Sequence, residues 1–86
     1  MFNLTNYTSE IQSIATTCKC SAEAAVDKFI VNLATMHEHH KGASELNFHE
    51  LGQQWNKLGY KEKNKQKAAA LQQVAKARRA SRVTTE

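Results

Sequence analysis

Nine cationic side chains crowd the second half of this 86-residue chain. Lys57, Lys61, Lys63, Lys65, Lys67, Lys76, Arg78, Arg79 and Arg82 fall within 26 positions, and Glu62 is the one acid among them. On a helix, Lys61, Lys65 and Arg79 share a face, with Lys63, Lys67 and Arg78 beside it. Such a stripe suits a polyanion. Cations that neutralise phosphates release condensed counterions, so each contact adds salt-dependent affinity. The sequence therefore predicts phosphate contacts from all nine residues.

A second set is Cys18, Cys20, His37, His39, His40 and His49. Two thiolates with two imidazoles suit tetrahedral zinc, but structural zinc spacing leaves at least two residues between cysteines. Cys18 and Cys20 have one between them. The expectation is reduced thiols, no metal and no cofactor. No Ser-His-Asp or Cys-His pairing has a distinctive local context, so a non-enzymatic protein is expected.

The formal net charge of +4 conceals an asymmetry. Residues 1–50 hold three lysines against six acids, a balance of −3. Residues 51–86 hold nine lysines and arginines against two acids, a balance of +7. One end of the chain is thus suited to an acidic partner, and the other is not.

The elements that must position these residues read as helices. Proline is absent and glycine occurs three times, so there are few breakers and few hairpin turn-formers. An all-α, compact domain of three or four helices over residues 1–80 is expected, with a frayed tail at 81–86. Leu4, Tyr7, Ile11 and Ile14 predict a first helix over about 3–16. Their near-heptad spacing also suits pairing of two protomers in a homodimer. Ser21 reads as the N-cap of a second helix over about 22–40, ended at Gly42. Asn47 and Glu50 form a capping box for a third over about 47–58. The fourth follows Tyr60 to about residue 80, held mainly by intrinsic propensity. The predicted core is Leu4, Tyr7, Ile11, Ile14, Val26, Phe29, Ile30, Leu33, Phe48, Leu51, Trp55, Leu58, Leu71 and Val74. The size excludes a multidomain enzyme, and no apolar run suits a bilayer. Without a secretory leader, an intracellular location is expected, cytoplasmic or nucleoid/nuclear.

The run Leu51-Gly52-Gln53-Gln54-Trp55-Asn56-Lys57-Leu58, followed by Glu62-Lys63, resembles the HMG box. That family carries Leu-Gly-x-x-Trp-x-x-Leu in its second helix and a Glu-Lys pair at the start of its third. Phe29-Ile30-Val31 resembles the aromatic-apolar start of the family's first helix. The resemblance covers about residues 24–80, and residues 1–20 would be an additional N-terminal helix. It implies an L-shaped minor-groove binder that bends duplex DNA. It also implies Ile30 as the wedge inserted between base steps. Lys57, Lys63 and Lys67 match basic positions near the groove, and Gly52 would admit a neighbouring helix.

A helix-turn-helix with Gly59 in its turn would need a small residue four before it and an apolar one six after. Trp55 and Lys65 stand there instead. DNA binding of an architectural or regulatory kind is therefore the expected function. The alternative is a small protein-binding modulator, of the size common in phage and mobile elements, that docks an acidic protein surface or a larger nucleic-acid-binding complex.

Overall fold

The computed structural model describes residues 2–42 and 45–84, with side chains described as far as residue 78. Asn3 begins the folded chain. Its Oδ1 accepts from Thr5 N at 3.1 Å and from Thr5 Oγ1 at 2.7 Å. This cap starts a 3-10 turn, Leu4–Tyr7, which leads straight into α1, Thr8–Cys18. α1 ends at Lys19 in the left-handed region (φ 53°), where the turn returns backbone N–H groups to Ala15 O.

α2 is Ala22–Thr35, and Ser21 Oγ accepts from Ala24 N at 3.1 Å, the cap that the sequence predicts. The helix stops at Met36 (φ 55°), short of the expected residue 40. The cause is Asn32, which is fully buried. Its Oδ1 accepts from His39 N at 2.8 Å and His40 N at 3.1 Å, and its Nδ2 donates to His40 O at 3.0 Å. Side-chain bonds of this kind offer the following backbone an alternative to the next helical turn.

α3 is Phe48–Asn56, with Asn47 Oδ1 accepting from Glu50 N at 3.2 Å. α4 is Tyr60–Thr84, so the helix continues four residues past the expected end. The described residues contain no strand, and the all-α expectation holds. No described helix is long and apolar enough to cross a membrane.

The core runs between all four helices. Phe2 stacks on Tyr7 with ring centroids 5.6 Å apart and meets Trp55 edge-on at 5.9 Å. Phe29 contacts Tyr7 at 5.9 Å and Phe48 at 5.6 Å. Gly52 is where α3 meets the end of α2. A Cβ there would lie 2.2 Å from Leu33 O, so only glycine allows the approach. Gly42 is not the end of α2. Its φ of 129° and its closeness to the Ile14 backbone, 2.7 Å from where a Cβ would stand, tuck the loop after α2 against α1.

Residues 1–20 have no counterpart in the HMG-box pattern, yet Phe2, Leu4, Ile11, Ile14 and Ala15 are core side chains. The four residues expected to pair two protomers are turned into the core of their own chain: Leu4, Ile11 and Ile14 are completely buried and Tyr7 is half-buried, so they do not offer the stripe that such pairing would use. Ile30, Leu51, Leu58 and Leu71 pack around the edge of the core, half-buried.

Candidate nucleic-acid interface

α4 carries most of the basic residues. Lysine, glutamine and a run of three alanines at 68–70 give it high helix propensity along its exposed length. Its inner face is thin: Gln66, Ala70 and Val74 are buried, one turn apart. Small side chains let α4 lie close to α1 and α2. On the opposite side the sequence places Lys61, Lys65, Gln72 and Lys76, all exposed. At 1.5 Å per residue the row from Lys61 to Lys76 is about 22 Å long. Lys57, the C-cap of α3, is also exposed and stands just before it.

The expected phosphate contacts divide into two groups. Lys57, Lys61, Lys65 and Lys76 are free of described carboxylates, because the one ion pair among the described residues is Lys67–Asp27 at 3.1 Å. Lys63, Lys67 and Arg78 are engaged by the protein itself. The Lys63 ammonium lies 5.8 Å from the Trp55 ring centroid. Lys67 ties α4 to α2 through its ion pair, with both partners about half-exposed, so the pair itself stabilises little. Arg78 Nη1 donates to Cys20 O at 3.0 Å and pins the α1–α2 connector to α4. The side chains of Arg79 and Arg82 lie outside the described residues. Ile30, the residue at the wedge position, is half-buried against the core, and its neighbour Val31 is more exposed at 41%.

Two functional side chains escape the sequence reading. Gln66 is 7% exposed and fastens the N-terminus to α4. Its Oε1 accepts from Leu4 N at 3.0 Å, and its Nε2 donates to Phe2 O at 2.8 Å and Glu62 Oε2 at 3.1 Å. Glu62, the acid within the basic run, is thus turned into this bond. Asn32 does the same service for the loop after α2. The available signal was a polar residue in register with an apolar face: Gln66 with Ala70 and Val74, Asn32 with Phe29 and Leu33.

An open groove of about 350 Å³ runs beside this clamp, lined by Phe2, Asn3, Thr5, Glu62, Lys65, Gln66 and Ala69. The cysteine and histidine set stays apart. Cys18 and Cys20 are free and half-buried. His37 and His39 meet edge-to-face at 5.1 Å. Among the described residues, no three His, Cys, Asp or Glu side chains converge as a metal site would require. No family model, curated protein or solved structure matches the chain.

Proposed function

We propose that the protein is a non-enzymatic nucleic-acid-binding protein, architectural or regulatory, that grips the DNA phosphate backbone with the outward face of α4. The observation that carries this reading is the row Lys61, Lys65 and Lys76, preceded by Lys57. All four are exposed and none is paired with a described carboxylate. A solvated helix that served only solubility would gain from interspersed acids, and this face has none among its described residues. Gln66 and Arg78, bonded to the body, hold the row in place, so the cations approach a backbone as a fixed array and not as a loose tail. Lys63, Lys67 and Arg78 then act mainly by keeping α4 in place.

The test is DNA binding measured across a salt series. Affinity should fall steeply with salt, with a log–log slope of roughly 0.9 per phosphate neutralised. The triple change Lys61→Glu, Lys65→Glu, Lys76→Glu should lower the affinity and flatten the slope. Absence of binding at about 50 mM salt, where phosphate contacts are strong, would reject the reading. Recovery of one stoichiometric protein partner in its place would favour docking on an acidic protein surface.

A further inference from the structure

Tyr60 is out of place in a protein that buries its other aromatic rings. Phe2, Phe29, Phe48 and Trp55 are buried and Tyr7 is half-buried among them, whereas Tyr60 is 79% exposed. It is the first residue of α4 and directly precedes Lys61. By helical register, Tyr60, Asn64 and Ala68 form one row; Asn64 and Ala68 neighbour Lys61 and Lys65, and Tyr60 itself lies about 100° round the axis from Lys61. The exposed ring and the exposed lysine row therefore occupy adjoining faces of α4, next to each other in its first turn.

We infer that Tyr60 is a stacking platform for an unpaired nucleobase, so that this face takes single-stranded nucleic acid in preference to duplex. The inference rests on the phosphate-binding reading of α4. Phosphates along the lysine row bring the bases of a single strand over the neighbouring row, where the ring offers its π-face and Ala68 adds no bulk. In a duplex the base faces are already stacked on one another, and Tyr60 has nothing to cover. Stacking does not distinguish the sugar, so DNA and RNA strands both fit, and purine and pyrimidine both present a face.

The experiment is fluorescence anisotropy with labelled oligothymidine and oligouridine of about 15 nucleotides, a length within reach of single-strand sites, and a hairpin duplex of matching charge. Tyr60→Ala should weaken both single strands by about tenfold, the loss typical of one stacked base, and change duplex affinity by less than twofold. Tyr60→Phe should keep wild-type affinity, because the ring does the work. Tyr60→Trp should also bind, and its emission should be quenched by oligothymidine, since Trp55 at 3% exposure is shielded from the strand. Lys61→Glu with Lys65→Glu should weaken strand and duplex alike. Equal affinity of Tyr60→Ala and wild type for single strands would overturn the stacking role and leave the phosphate reading standing. Equal losses on strand and duplex would overturn it too. No binding of the wild-type chain to any of the three probes would overturn both.

Discussion

The seating of the N-terminal segment turns on Gln66, and two substitutions there separate lost hydrogen bonds from misplaced charge. Gln66→Leu keeps the approximate volume and removes both polar atoms. Leu4 N–H and Phe2 C=O, each held by a buried bond, are then stranded. At about 1–3 kcal/mol for each stranded group, the expected loss is about 2–6 kcal/mol. That is a large part of the roughly 5–15 kcal/mol that holds an ordinary domain together.

Gln66→Glu keeps an acceptor for Leu4 N but, when ionised, loses the donor. The new carboxylate would stand where Nε2 now lies, 2.8 Å from Phe2 O and 3.1 Å from Glu62 Oε2. Both neighbours are acceptors, and one is an acid. Desolvation and like charge each favour the protonated form, so the carboxyl's folded pKa rises above its unfolded value of about 4.3. A raised folded pKa contributes stability that is fully present below the unfolded pKa and lost as pH rises through the folded pKa. The variant should therefore be nearest wild type at about pH 4 and fall away above it, by about 1.4 kcal/mol for each unit of elevation.

Urea unfolding of the three chains from about pH 4.5 to 8, followed by Trp55 emission, reads both effects at once, because Phe2 lies against the Trp55 ring. The Gln66→Leu deficit should be large and nearly independent of pH. The Gln66→Glu deficit should widen with pH and then level off. A Gln66→Leu deficit under about 0.5 kcal/mol, the range of an ordinary surface change, would refute the clamp. A Gln66→Glu deficit flat across the range would refute the electrostatic step.

Two further outcomes are expected. Gly52→Ala should destabilise by about 1–3 kcal/mol, as overpacking does, because the new methyl would meet the Leu33 carbonyl and the backbone cannot turn aside; Gly59→Ala, with open space around it, is the control for a thermal melt. Ile30→Ala should cost about 1–2 kcal/mol, less than the 2–5 of a fully buried site, and should leave any DNA bending measured by gel phasing unchanged. Lost bending with an unchanged melt would instead restore Ile30 as a wedge.

The helices were legible because their caps and apolar stripes agree. Ser21 and Asn47 cap as their types predict, and Phe29, Leu33, Phe48 and Trp55 are buried as their spacing predicts. The end of α2 was not legible. His37 and His40 continue the apolar register, and the bonds from Asn32 that stop the helix reach seven and eight residues ahead, to positions that only the folded loop brings near. Gln66 escaped for a stronger reason: its two backbone partners, Leu4 N and Phe2 O, lie more than 60 residues away. The cationic set was legible as a list but not as a surface. Sequence gives a lysine its charge. Whether that charge faces solvent, a carboxylate or a ring depends on which side of α4 is occupied, and Lys63, Lys67 and Arg78 fall on the occupied side.

The acidic half acquires a role from this division. A helix as polar as α4 has little apolar surface with which to dock, since its buried apolar residues among those described are Ala70 and Val74. Its attachment is completed by polar contacts, and apart from the Trp55 ring against Lys63 they come from the first half of the chain. Backbone groups of Phe2 and Leu4 hold Gln66, Asp27 holds Lys67, and the Cys20 carbonyl holds Arg78. These points are spread over three turns on one side of α4. A helix fixed at several points cannot roll, so the lysines on its other side keep one register relative to the body. On the proposed phosphate-binding function, negative charge in the first half would oppose binding elsewhere on the molecule and confine a polyanion to the α4 face. On this reasoning, neutralising exposed acids of the first half, such as Glu23 or Glu50, would raise affinity for nucleic acid modestly but blur which face binds it. Releasing Gln66 or Arg78 would leave the net attraction in place and loosen the array that receives the strand.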